Sequence, residues 1–131
     1  MEKLIIIDSC MREESRTRVI LEAAKEVLSA RYDIETIDVN AIGLPPVTPE
    51  TLKERTLGRV PAEALSIAGR LASADRIVIA APFWDMSFPA ILKAFFENMS
   101  LYNVTFTDDG TTCTGICRCS KVLYITTRGM N

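Results

Sequence analysis

The sequence predicts a doubly wound α/β fold: a three-layer α/β/α arrangement around a parallel sheet of strand order 2-1-3-4. Two observations carry this expectation. Apolar runs of strand length alternate along the chain with segments of helical periodicity, the pattern of successive βαβ units. The run from Ile77 to Ala81 is also continuously apolar, as expected of a strand covered on both faces.

Taken in order, Leu4 to Asp8 is the first strand. After a short loop, Ile20, Ala23, Ala24, Val27 and Leu28 mark a helix running to about Ala30. Tyr32 to Val39 is the second strand, with Glu35 and Asp38 mixed in as an edge position allows. Asn40 to Val47 is a Gly/Pro loop. Thr48-Pro49-Glu50 is a helix start, with a hydroxyl cap, Pro at the first helical position and an acid in the first turn. Pro61 starts another helix, with Leu65, Ala68, Leu71 and Ala72 on one side. Ile77 to Ala81 is the third strand. Pro89 to Met99 follows as a helix whose stripe is Ile91, Leu92, Phe95, Phe96 and Met99. Val104 to Thr107 forms a short extended arm turning at Asp109-Gly110, and Val122 to Thr126 is the fourth strand. This flavodoxin-like order puts the switch point between the first and third strands, where such sheets bind ligands. A sheet of this kind ordinarily continues into a fifth strand and a last helix, which the sequence lacks. The expectation is a single domain over residues 1–131, truncated at its C-terminus or covered by a partner along the apolar edge from Val122 to Ile125.

Composition narrows the function. At 131 residues with 48% hydrophobic content, the chain is one compact domain. A net charge of −2 argues against nucleic acid or an acidic membrane surface as partner. No apolar run reaches transmembrane length, and the start lacks the regions of a signal peptide. The cytoplasm is the expected compartment, with the four Cys as thiols. Histidine is absent, which excludes Ser-His-Asp and Cys-His catalysis and His-ligated zinc. Chemistry here rests on carboxylates, hydroxyls, thiols, backbone amides or a borrowed cofactor.

Three loops follow strands that neighbour one another, so all three rise at one sheet edge. The first, Ser9 to Thr17, lacks GxGxxG and the Walker pattern. Its Ser9, Ser15 and Thr17 hydroxyls, with the amides of a helix start, suit a monophosphate, and Arg16 or Arg18 adds charge. The plain alternative is that Ser15 merely caps the helix. The second loop, Pro82 to Ser87, puts Phe83, Trp84, Asp85 and Met86 on one turn, against something flat and apolar. Its plain alternative is core or a subunit interface. The third, Thr126 to Met130, offers the amides and hydroxyls of Thr127, Arg128 and Gly129 to an electron-rich ring edge. A phosphate end, an aromatic floor and a polar edge together match the parts of FMN.

These loops carry a family resemblance. Pro82-Phe83-Trp84-Asp85-Met86-Ser87-Phe88-Pro89 matches P-[MF]-[YW]-[ND]-[FM]-x-[IF]-P, and Ser15-Arg16-Thr17 fits the end of S-x-R-x-x-S-x-[ST], with Ser9 at its start. Thr105-Phe106-Thr107-Asp108-Asp109-Gly110 approaches T-F-x-Y-T-x-x-G, and Thr126-Thr127-Arg128-Gly129-Met130 approaches [ST]-[ST]-R-G-G. The chain resembles the flavodoxin-like NAD(P)H:quinone oxidoreductases and FMN-dependent azoreductases over nearly its whole length. It departs from them at Cys10 and Met11, where Pro and Arg are common, and at Met130, which replaces the second Gly. The resemblance implies FMN as cofactor, its phosphate against Ser9, Ser15, Arg16 and Thr17, and its ring supported by Pro82, Phe83, Trp84, Asp85 and Met86. The amides of Thr127, Arg128 and Gly129 would face the ring edge, and no side chain is catalytic in its own right. It further implies NAD(P)H and a small aromatic quinone, azo or nitro acceptor as partners. A homodimer would share the sites across an interface suited to exposed Trp84 and Phe88.

Three other readings compete. Cys10 and Arg16 stand as C-x5-R before Thr17, the pattern of low-molecular-weight tyrosine phosphatases and related arsenate reductases. Against it, the loop holds no Gly or Asn to turn its amides inward, and Glu13 and Glu14 repel a phosphate. Its acid catalyst would have to be Asp85 or Asp108. Cys113-x3-Cys117-x-Cys119 is not a recognised zinc or iron–sulfur spacing and reads as incidental thiols. The last is a non-catalytic electron-transfer or binding protein.

Overall fold

The structure is a computed structural model that describes residues 1–129. Four parallel strands form the central sheet, in the order β2-β1-β3-β6: β1 (Glu2–Asp8), β2 (Tyr32–Asp38), β3 (Arg76–Ala80) and β6 (Val122–Ile125). This is the expected 2-1-3-4 order, since β6 is the fourth strand to join this sheet. Strand β1 is central because Leu4, Ile5, Ile6 and Ile7 are apolar in succession and can bury both faces. Side chains alternate along a strand. Ile5 and Ile7 accordingly enter one core with Ile67, Leu71, Leu92 and Phe95, while Leu4 and Ile6 enter a second with Leu21, Val78 and Ile125. Those two cores are the two layers of packing on either face of the sheet.

Helix α1 (Arg16–Leu28) covers the second core, and its N-cap Ser15 accepts the Arg18 N–H at 3.1 Å. It begins before the first periodic apolar residue, because the cap and not the stripe sets a helix start. The segment expected as loop after β2 begins instead with a short helix, α2 (Val39–Ile42), capped by Asp38 and ended by Gly43 in the left-handed region. Thr48 caps α3 (Pro49–Thr56) through a reciprocal pair with Thr51, so the box is closed by a hydroxyl. Helix α4 (Ala62–Ser73) buries Ala64, Ile67, Ala68 and Leu71 and leaves Leu65 exposed, so the expected face is rotated toward Ala64 and Ile67. Helix α5 (Ala90–Met99) buries Leu92, Phe95 and Met99 as its stripe requires.

After α5, the arm forms a small hairpin of β4 (Phe106–Asp108) and β5 (Cys113–Gly115), paired antiparallel. Thr105 anchors it to the helix end: its hydroxyl donates to the Met99 carbonyl at 2.7 Å and accepts the Leu101 N–H at 3.0 Å. Arg118 fixes the return, its guanidinium 2.7 Å from the Asp75 carboxylate. Val122, Leu123 and Tyr124 on edge strand β6 are exposed, as the apolar sequence of that strand led one to expect.

Candidate functional site

The loops after β1, β3 and β6 leave the sheet at one edge, and backbone bonds hold them side by side beyond the strand ends. The Ser9 N–H donates to the Ala80 carbonyl at 2.9 Å, Ala81 to Ile125 at 3.0 Å, and Phe83 to Thr127 at 3.1 Å. A side-chain bridge joins the outer two loops, with Thr17 Oγ1 and Thr127 Oγ1 2.8 Å apart. The expected convergence of three loops is therefore built into the ladder of the sheet.

A cavity of about 310 Å³ opens between them, at the lower end of the roughly 300–1,000 Å³ usual for ligand sites. Ser15, Arg16 and Thr17 line it from the first loop, Pro82, Phe83 and Trp84 from the second, and Thr127, Arg128 and Gly129 from the third. Asp85 and Met86 lie just beyond, in an adjoining space of about 370 Å³ that shares Phe83 and Gly129. Met130, the last residue of the expected third loop, lies outside the described residues.

Ser9 is placed differently. Its hydroxyl donates to the Ala80 carbonyl at 2.8 Å, it is fully buried, and it does not line the cavity. In this structure it fastens the first loop to β3. Arg18 also turns away from the cavity, to loop carbonyls and to Asp8. Met11, Arg12 and Glu14 line the space as well, although the sequence reading had not singled them out as site residues. With Arg16 and Arg128, the walls carry three guanidinium groups against one carboxylate, so their balance favours an anion. The Arg128 guanidinium lies 5.8 Å from the centre of the Phe83 ring, within cation–π range.

The second loop has a defined backbone. Trp84 and Ser87 exchange both of their N–H to carbonyl bonds, at 2.8 and 2.9 Å, across Asp85 and Met86. These two central residues have φ of 49° and 66°, the left-handed pair of a type I′ turn. The turn holds Trp84 and Met86 outward, with Met86 73% exposed. Phe88, expected to be exposed, is instead partly buried and packs edge-on against Phe96 with ring centres 5.9 Å apart. It belongs to the rim of the core, packed against the cluster that holds Leu92 and Phe95.

The phosphatase reading finds no thiolate here. Cys10 is 2% exposed, and burial pushes its thiol above the usual range, opposite to what a nucleophilic cysteine needs. A larger cavity of about 510 Å³ lies between the α2–α3 connection and α5. Its walls are chiefly aliphatic and proline side chains, including Ile42, Leu44, Pro45 and Val60, with no cluster of hydroxyls like that of the three loops.

Hydroxyls, helix-start amides and arginines at one end, with aromatic groups and a polar loop at the other, suit a planar ligand bearing a phosphate. Comparison with known proteins agrees in part. FMN-dependent NADH:quinone oxidoreductase 2 of Clostridium acetobutylicum is 37% identical over 106 residues, 74% of this chain and 50% of the relative. FMN-dependent NADH:quinone oxidoreductase of Caldicellulosiruptor bescii is 28% identical over 138 aligned residues, covering 98% of this chain and 69% of the relative. The chain thus spans about half the length of the first of these relatives. Among solved structures, NAD(P)H:quinone oxidoreductase from Methanothermobacter marburgensis superposes with a TM-score of 0.84 at 20% identity, over 99% of this chain and 68% of that one. An FMN-dependent NADH-azoreductase from Bacillus anthracis in complex with FMN gives 0.76 at 22% identity, over 100% of this chain and 71% of that one. At such identities these structures speak for the fold. The family model described as Flavodoxin-like fold matches residues 1–131, and the chain belongs to that family.

Proposed function

We propose that the protein is an FMN-dependent oxidoreductase that takes hydride from NADH or NADPH. It then reduces a quinone, azo or similar small aromatic acceptor in a second half-reaction at the same place. The observation that carries this reading is the gathering of three loops of complementary chemistry around one cavity. The names of the sequence relatives support it.

In this reading Ser15 and Thr17 donate to the phosphate, and Arg16 and Arg12 offset its charge. Ser9 acts through the loop it fastens. Phe83 and Trp84 support the ring, and the Asp85 and Met86 amides are available to its edge because the turn directs its internal bonds between Trp84 and Ser87. The amides of Thr127 to Gly129 stabilise negative charge where it develops on the bound ring, a role comparable to that of an oxyanion hole. Bound FMN supplies the acceptance and release of hydride, which explains how a histidine-free site reaches redox chemistry. The chain's own task is to orient, neutralise and exclude water. Exposed Trp84 and Met86 support assembly as a homodimer with shared sites. No described helix is long and apolar enough to cross a membrane. The reading places one flavodoxin-like domain in the cytoplasm.

The test is a visible spectrum of the purified protein before and after incubation with FMN and desalting, followed by anaerobic addition of NADH or NADPH. Retained flavin bands that bleach with the nucleotide and return on adding a quinone are the expected result. A protein that retains no flavin refutes the reading.

A further inference from the structure

Arg18 stands behind the first loop, outside the cavity lining, with each of its three guanidinium nitrogens facing a protein oxygen. Nη2 donates to the Cys10 carbonyl at 2.7 Å and Nη1 to the Arg12 carbonyl at 3.0 Å. Nε lies 3.7 Å from the carboxylate of buried Asp8, which also accepts the Cys10 N–H at 2.9 Å. A second clamp comes from α2, where Asn40 Nδ2 donates to the same Cys10 carbonyl at 3.2 Å. In a trans peptide the C=O and N–H point in opposite directions. Drawing the carbonyls of residues 10 and 12 toward Arg18 therefore turns the Met11 and Glu13 N–H groups away from it, toward the side on which Met11 and Arg12 line the cavity. The loop has no Gly or Asn to adopt such an orientation on its own. The Arg12 carbonyl also accepts the Ser15 N–H at 3.2 Å, so the turn and Arg18 fix it together, while the Cys10 carbonyl is held by the side chains of Arg18 and Asn40.

We propose that Arg18 is a positioning residue, seconded by Asn40, which aims the amides of the first loop at the phosphate of the ligand without touching it. The proposal rests on the flavin reading above. It predicts that Arg18 matters for the phosphate and not for the ring. Charge alone is not its contribution: lysine would keep the cation but lose the planar fork that holds two carbonyls at once.

FMN and riboflavin share the ring and differ in the phosphate, so the ratio of their dissociation constants reads the phosphate end. Both are titrated by flavin fluorescence into wild type, Arg18→Met, Arg18→Lys and Asn40→Ala. Hydrogen exchange across residues 10–14 is measured on each protein without ligand. Arg18→Met is expected to weaken FMN about tenfold or more and riboflavin less than about twofold, and to speed exchange in the loop. Arg18→Lys retains most of the defect, and Asn40→Ala shows a smaller one of the same sign. Unchanged FMN affinity in Arg18→Met, equal loss for both ligands, or wild-type behaviour in Arg18→Lys overturns the proposal. Should Arg18→Met fail to fold, Arg18→Lys and Asn40→Ala decide by the same ratio. Wild type that binds no FMN removes the flavin reading and this proposal together. Wild type that binds FMN beside unaffected variants removes this proposal alone.

Discussion

Replacing Thr17 with Val tests whether the first and third loops are energetically one site. The Thr17 hydroxyl lies 2.8 Å from that of Thr127 in a residue that is 1% exposed, and Val has nearly the same volume without the hydroxyl. A neutral hydrogen bond contributes about 0.5–1.5 kcal/mol net, while a buried group left unpaired costs about 1–3 kcal/mol. Thr127 is only partly buried, so after Thr17→Val water can satisfy it, and a loss near 1 kcal/mol is expected. Thr127→Val strands the buried Thr17 hydroxyl and should cost more, about 1–3 kcal/mol. The double variant should then be less destabilised than the sum, by about 0.5–1.5 kcal/mol, the coupling of the pair. Urea denaturation of the four proteins measures this directly. FMN binding supplies the functional half. In the proposed flavin reading, losing the Thr17 donor to a charged phosphate removes about 1.5–3 kcal/mol, roughly a ten- to hundredfold weaker dissociation constant. Single effects that add within about 0.3 kcal/mol would mean that the 2.8 Å contact carries no energy. Unchanged flavin affinity in Thr17→Val would remove Thr17 from the phosphate end.

Further tests address the core, the acid limb and the thiols. Phe95 is 1% exposed in the core shared by α4 and α5, so Phe95→Ala should destabilise by about 3–5 kcal/mol in denaturant unfolding. A loss under about 1 kcal/mol would contradict that packing. The Asp75 carboxyl is held below its usual range, first by the Lys3 N–H and then by Arg118. A group depressed in the folded state stabilises above its unfolded pKa and loses this contribution as pH falls through the folded value. Asp75→Asn should therefore lower the unfolding midpoint at neutral pH and flatten its decline below about pH 4, and parallel curves would refute this. Cys10, buried and with a raised pKa, should resist iodoacetamide at neutral pH while exposed Cys113 reacts, as peptide mass spectrometry would resolve. Alkylation of Cys10 at the rate of Cys113 would restore the nucleophile reading.

The sheet was legible because its signal is redundant. Leu4 to Ile7 and Ile77 to Ala81 can only be strands buried on both faces, and their alternation with helical stripes fixes the order. Helix faces were harder to place. Leu65 looked like core by type, yet the better-filled interface comes from small Ala64 and Ala68 beside Ile67, and no single-sequence period separates faces one residue apart. The short α2 was missed because one turn has too few residues for periodicity, though Asp38 before it and Gly43 after it are its cap signals. At the site, residue types identified the loops but not the direction of each side chain. Ser9 carries the right hydroxyl, yet its donor is taken by Ala80, and Arg18 carries the right charge on the wrong side. Phe88 could not be told from an interface residue until its contact with Phe96 was visible.

The positive φ angles at Asp85 and Met86 also change how the acid at position 85 should be understood. Left-handed backbone acts as a stereochemical sieve that passes Gly, Asn and Asp readily and holds back branched side chains. Asp85 is thus accounted for by handedness before any appeal to its proton, and Asn would satisfy the same demand. Anyone diversifying this rim would do better to vary Trp84 than its successor, whose alphabet the main chain has already shortened.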